Sequence, residues 1–491
     1  MRLLIRAAVG AIFMAAASIA AAKTDVTIGM QLEPPNLDPT AGAAGAIDQV
    51  VYANVFEGLT RFDQNGIIIP ALAESWEISP DGRVYTFHLH SGVTFSDGTT
   101  MDADDVKFSL DRARAPDSVN AQKGLFAGIA SVEAVDPQTV KVTLKQPNGS
   151  FLFNMAWGDA VIVAPESAAS NATNPVGTGP YVLEEWVKGD KIVLKKREGY
   201  WGTPVKLDAV TFRVIADPTA AFAAMMAEDI DVYPAFPAPE NIAQFEADPR
   251  FAVTVGSTEG ETILSTNNKM APLDKLEVRK AIAHAIDRKA VIDGVMYGYG
   301  TPIGSHFAPH HPAYLDLTAK SAYDPELSKR LLAEAGLADG FTTTLKLPPT
   351  SYARRSGEII AAQLAAVGVK VEISNLEWAQ WLEEVFKNKN YGLTIVSHTE
   401  PFDIGIYGRD DYYFNYSSDE FKALMAELDA TSDPEARQAI LHKAQEKIAD
   451  DYVNGYLFQL PLLTVAKKGL VGLWPNAPTQ ATDVTDWYWE E

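Results

Sequence analysis

The side chains best suited to chemistry stand together in "YGLTIVSHTEPFD", residues 391–403. Tyr391 to Val396 is mostly apolar and rich in β-formers, and Ser397, His398, Thr399, Glu400, Pro401 and Asp403 follow directly. Open α/β sheets bind ligands just past the carboxyl ends of their strands, so this polar cluster is placed to meet a solute. Its carboxylates can neutralise an ammonium, and its hydroxyls and imidazole can hydrogen-bond a polar group. His398 with Glu400 can also touch a metal chelate, but two donors do not make a metal site. Glu400 and Asp403 raise glycoside cleavage as well, yet proximity in one loop is not the opposed geometry that reaction needs. The chain has no G-x-S-x-G, no H-E-x-x-H and no cysteine. Hydrolase chemistry therefore has no motif behind it. The expectation is a protein that is not an enzyme, with no catalytic residue, no metal and no cofactor.

Flat, rigid side chains are the second group of candidates. Trp157 in "NMAWGDA" follows an apolar run and precedes a glycine, which suits a cleft as well as a core. Trp378 and Trp381 in "EWAQWLEE" are spaced i, i+3 and share one helix face. "RDDYYFNYSS" is too polar for a core strand and too aromatic for an ordinary loop, so Tyr412, Tyr413 and Tyr416 are expected to line a cleft. His306, His310 and His311 sit in "SHFAPHHPAY", where Pro309 and Pro312 preclude a regular helix. They are expected in a surface loop.

Elements able to position these groups are legible along the chain. "MRLLIRAAVGAIFMAAASIAAAKTD" reads as a cleavable signal peptide over 1–22, with Arg2 and Arg6 before a short apolar stretch and Ala20-x-Ala22 at its end. That predicts export to the periplasm, and the missing cysteine rules out a lipid anchor there. Net charge is −23, or −25 without Arg2 and Arg6. Such a surface repels nucleic acid and anionic headgroups. From 67 to 180 the pattern is mostly β. "RVYTFHLHSGVTF" alternates like a strand pair, and the helix "MDADDVKFSLDRARA" interrupts it behind an Asp102 cap. "NPVGTGPYVLEEWVKGDKIVLKKREGYWG" reads as a crossing followed by two strands around Lys188 to Asp190. Later, Asp324-Pro325 starts a helix that Gly336 closes, and "SGEIIAAQLAAVG" is stopped by Gly368. The strand "VKVEI", the helix "EWAQWLEEVFKNK" and the strand before Ser397 come next. This alternation predicts an α/β fold with a parallel or mixed sheet.

Several phrases together resemble one group: "NLDPT", "VYANVFEGLTRFD", "PALAESWEISPDGRVYTFHLHSGVTFSDGTTMDADDVKFSLDRA", "NPVGTGPYVLEEW", "REGYWG", "LEVRKAIAHAIDRKAVIDGVMYGYGTPIGS", "YDPELSKRLLAEAG" and "AAQLAAVGVKVEI". In this order they resemble the extracytoplasmic solute-binding proteins of ABC importers, peptide/nickel-type family. The resemblance implies a periplasmic-binding-protein type II fold, two lobes with a hinge plus an inserted β-rich domain. Lobe one would use 23–60, 176–266 and 456–491, the insert 61–175, and lobe two 267–455. It implies a monomer that closes on a peptide or similar polar solute and delivers it to a permease in the inner membrane. An oligosaccharide, an opine-like conjugate or a metal chelate is the alternative cargo.

Two positions depart from the family pattern. Peptide-binding members carry an aspartate three positions before an acid-Pro step, and here Glu400-Pro401 puts Ser397 at that place. Glu400 or Asp403 is then the nearest substitute anchor. Dipeptide-binding members carry an arginine where this chain has Leu347, and Arg354 and Arg355 follow at the start of a helix, from which one could reach the cleft.

Overall fold

The computed structural model describes residues 23–399, 403–431 and 433–490. Residues 1–22, where the signal peptide is expected, lie outside it, as does Glu400.

Two long antiparallel strands organise the fold, Phe251–Thr266 and Asn454–Lys467. Their register runs from Phe251 opposite Lys467 to Ser257 opposite Pro461, then slips and resumes with Glu261 opposite Gln459. Thr258, Glu259 and Gly260 thus face Leu460 alone, a bulge that bends both strands and interrupts their ladder. On one side of the bulge the sheet continues through Val232–Tyr233, Asp25–Met30, Ala209–Val214, Lys191–Lys196 and Tyr181–Val187. On the other it continues through Leu393–His398, Phe341–Leu347 and Val369–Asn375. The last three pair in parallel, as strands joined through helices must. The result is two lobes that share two strands.

Apolar side chains are buried on both sides of the bulge. Ile28, Leu194, Phe212 and Val232 are fully buried in the first. Leu345, Ile360, Leu364 and Ile395 are fully buried in the second, where the helix Ser351–Ala365 covers the parallel strands. A separate four-stranded antiparallel sheet, Ala73–Ile78, Val84–Leu89, Thr139–Leu144 and Ile129–Asp136, packs with the helix Ala103–Arg114 around Phe87, Val106 and Val142. That helix starts as the sequence predicts. The Asp102 carboxylate accepts from Asp104 N, and Asp105 accepts from Asp102 N, so two N-terminal donors are satisfied together.

The "GTGPY" stretch is a crossing. Gly179 N donates to Val55 O and Tyr181 N to Asn54 O, each at 2.9 Å, which lays 177–181 flat against 54–55. A Cβ on Gly177 would stand 2.0 Å from Val55 O, and one on Gly179 2.6 Å from Asn54 O. Glycine is needed here for closeness of approach.

Four expectations need correcting. In "RVYTFHLHSGVTF" only Val84–Leu89 is a strand; the rest turns over a single bridge between Thr94 and Thr100. The helix expected from Ser356 begins at Ser351, as soon as Pro348-Pro349 is passed. The tryptophan helix is regular only over Trp378–Trp381 and then widens to a π-type turn over Leu382–Lys387. Of the three histidines in the proline-broken loop only His310 is on the surface: His306 and His311 are buried, because proline-broken backbone here fills space between elements.

Candidate functional site

A cavity of about 320 Å³ lies between the lobes, beside the bulge. That is a volume typical of small-ligand sites. Tyr233, Trp474, Asp483 and Trp487 wall it from the first lobe, and Tyr352, Trp378, Ser397, His398, Tyr412 and Tyr413 from the second. Ser397 and His398 are there because their strand ends at the bulge, with Ser397 opposite Thr262 and His398 opposite Glu261.

Trp378 and Trp381 stack with centroids 5.1 Å apart and planes 4° from parallel. Trp381 Nε1 is tied at 3.0 Å to Thr394 Oγ1, so it fixes the plane against which Trp378 rests. Among the described residues, four lining atoms are buried without a hydrogen-bond partner: Thr350 Oγ1, Trp378 Nε1, Ser397 Oγ and Trp487 Nε1. Each such atom costs about 1–3 kcal/mol of desolvation. A solute that bonds them recovers that cost, so these atoms are sites of recognition. Among the described residues, no lysine or arginine lines the cavity. Asp483 is the carboxylate there; its Oδ1 accepts from Thr485 N at 2.9 Å, and Oδ2 lies 3.8 Å from Arg61.

His398 is anchored on both ring nitrogens. Nε2 lies 2.9 Å from Tyr413 OH, and Nδ1 lies 3.4 Å from Asp403 Oδ2. The other oxygen of Asp403 is bonded by His306 Nε2. Burial pushes the Asp403 carboxyl up, and the two imidazoles outweigh it, holding the group well below the usual carboxylate range.

The sequence candidates divide accordingly. Ser397, His398, Trp378, Tyr412 and Tyr413 line the cavity. Asp403 stands behind His398 in the protein interior and does not line it. Its neighbour Glu400 lies outside the described residues. Trp157 borders a smaller adjoining space with Asp48 and Gln480, against the ring of Phe153. Tyr416 is in the core, its hydroxyl bonded to Asp451. Neither arginine reaches the cavity. Arg354 donates to Leu376 O at 3.3 Å, and Arg355 is held by both oxygens of Glu240 at 2.7 and 2.5 Å. A guanidinium at the start of this helix finds a carboxylate nearby before it finds the cleft.

Sequence reasoning missed Trp474, Asp483 and Trp487. They lie in the carboxyl-terminal "VGLWPNAPTQATDVTDWYWEE", which has no period to read. Its signal was three tryptophans in an irregular, polar segment.

Residues 68–423 match the profile of the bacterial extracellular solute-binding proteins, family 5 (middle). The glutathione-binding protein GsiB of Salmonella paratyphi A is 35% identical over 387 residues, which cover 77% of this chain and 75% of that protein. The chain belongs to the family 5 solute-binding proteins. Binding a solute is accordingly its function, and the cavity between the lobes is where the fold provides room for one. This family 5 protein superposes with a TM-score of 0.89 on the ABC transporter-associated periplasmic binding protein DppA of Helicobacter pylori in complex with the peptide STSA, at 26% identity over 96% of this chain and 99% of that one. It superposes at 0.87 on AgaA of A. tumefaciens R10 in complex with agropinic acid, at 27% identity over 95% and 99%. Its fold is therefore the type II periplasmic-binding-protein fold, two lobes about a hinge with an inserted β-rich domain. Among the described residues, no helix is long and apolar enough to cross a membrane.

Proposed function

We propose that this protein captures a peptide or peptide-sized polar solute in the periplasm by hinge closure and passes it unaltered to the permease of an ABC importer. The carrying observation is the cavity itself: aromatic walls from both lobes surround four buried polar atoms that have no partner. A relative named for glutathione and a neighbour in complex with the peptide STSA support the peptide reading. Secretion through residues 1–22 and action as a monomer belong to the same proposal. So does the lobe assignment, with 23–60, 176–266 and 456–491 in lobe one, 61–175 in the insert and 267–455 in lobe two. The slipped register at 257–261 supports a hinge on the two shared strands. Hinge closure replaces water by protein on both faces of the solute. To swing from mostly open to mostly closed, the solute must favour the closed form by about 5.5 kcal/mol.

A second reading, an oligosaccharide or opine-like conjugate, has a specific observation behind it. With no lysine or arginine among the described lining residues, a free carboxylate has no cation to meet, and flat aromatic walls suit sugar faces. The relative holding agropinic acid supports it too. The two readings separate by titration. Trp378, Trp381, Trp474 and Trp487 border the cavity, so intrinsic fluorescence reports its occupation. Di- to tetrapeptides, their C-terminal amides and neutral oligosaccharides form the panel. A saturable change with amidated peptides stronger than with free acids supports the peptide reading, and one confined to sugars supports the second. Silence across the whole panel overturns both.

A further inference from the structure

Behind the cavity wall, four buried side chains from four stretches of chain converge. Glu261 follows the bulge, His306 lies in the proline-broken loop, His398 ends its strand, and Asp403 opens the next turn. Their exposures are 3%, 1%, 6% and 8%. One ligand atom each of Glu261, His306 and Asp403 lie within 4.8 Å of one another. His398 Nδ1 stands beside that group of three, 3.4 Å from Asp403 Oδ2, and would join it as a fourth donor on closing around an ion.

The surroundings orient both imidazoles. Tyr407 OH lies 3.2 Å from His306 Nδ1, and Tyr413 OH 2.9 Å from His398 Nε2. Tyr407 OH is itself 3.1 Å from Asn454 Nδ2 and 3.2 Å from Tyr456 OH. In each ring one nitrogen is thus fixed by a phenol and the other aims at the carboxylates. Metal-binding histidines are held in this way, by a second partner that sets the ring's orientation and tautomer. Charge points the same way. Two carboxylates enter a buried space, and among the described residues the ion pairs of Asp403 come from the two imidazoles alone. Two carboxylates and two neutral imidazoles around one divalent cation are together electrically neutral.

We propose that Glu261, His306, His398 and Asp403 form a site for one divalent transition cation. Two imidazoles with two carboxylates are a donor set suited to zinc in four-coordination. Entry of the ion requires the direct His306–Asp403 contact to open around it and any imidazolium proton to leave. The ion would join the hinge strand, through Glu261, to the segment that carries His398 into the cavity wall. It lies behind the cavity wall and shares His398 with it, while the cavity has its own lining, so failure of this site leaves the proposed function standing.

The test is zinc binding to the full secreted chain after chelator treatment and dialysis. The expected result is one zinc per chain at near-neutral pH, an X-ray absorption shell of two nitrogens and two oxygens, and a higher Tm with zinc than without. His306→Gln and Asp403→Asn should each weaken binding on the order of a hundredfold. His310→Ala, which removes the exposed neighbouring imidazole, should leave the stoichiometry at one. Absence of stoichiometric zinc, or His306→Gln binding as well as the parent, overturns the proposal. Should the variants fail to fold, anomalous scattering from zinc-soaked crystals of the parent decides the matter: no peak among the four side chains overturns it.

Discussion

Ser397 Oγ is buried at the cavity wall with its hydrogen-bonding capacity unused, while Ser397 N accepts its place by donating to Tyr352 OH at 3.0 Å. A side chain in that state costs stability in the empty protein and returns it when a solute arrives. Ser397→Ala is therefore expected to leave the Tm of the empty protein unchanged or slightly higher, while weakening solute binding by about tenfold, the worth of one such bond. Thermal unfolding beside a titration checks both halves; a lower Tm with unchanged affinity contradicts the assignment. Asp403 behaves differently. Its carboxylate pairs with His306 and His398 in the interior, so Asp403→Ala strands buried groups and should destabilise by about 3–5 kcal/mol, measured by denaturant unfolding. At this scale the sequence was half legible. Ser397 and His398 were readable because they end a strand. The partners of Asp403 and Arg355 were not, since His306 and Glu240 come from distant chain.

Helices and turns were the most legible parts, because their signals are local. Asp324 caps its helix by accepting from Leu327 N at 2.8 Å, and Gly336 and Gly368 take φ of +80° and +94° at helix ends. The close crossing at Gly177 was visible as a glycine-proline signature, though its contact with Val55 depends on the fold. Gly177→Ala places a methyl 2.0 Å from a backbone oxygen that cannot swing away. The expected loss is several degrees of Tm, and an unchanged Tm in a thermal scan contradicts the packing argument. The histidine loop was misread because prolines predict the lack of a helix and say nothing of burial. His311 lies parallel to the ring of Phe307, 4.4 Å away. Burial, which Glu259 only partly offsets, holds its pKa down to about 4 from 6.5. The folded form then resists a proton that the unfolded chain accepts, so stability falls as pH drops from about 6.5 towards 4. His311→Gln should flatten that part of the acid limb in urea midpoints measured across this range. An unaltered limb contradicts the burial effect.

Across the whole molecule, the two strands shared by the lobes and the bulge at Thr258 to Gly260 decide what motion is available. The pairing of Phe251–Thr266 with Asn454–Lys467 could not be read from local pattern; the ordered family phrases carried it instead. Arg355 with Glu240, and Ser351 Oγ with Pro237 O at 2.9 Å, tie segments that the proposed assignment puts in different lobes. Both partners of that ion pair are partly exposed, so it steers closure weakly and leaves the solute to supply the main preference. Small-angle scattering of the solute-stripped protein, titrated with the compound recovered from it by mass spectrometry, tests this most directly. The account predicts a saturable fall in radius of gyration with one solute bound per chain and the compound recovered chemically unchanged. An identical scattering profile at saturating solute, or a compound returned altered, contradicts it.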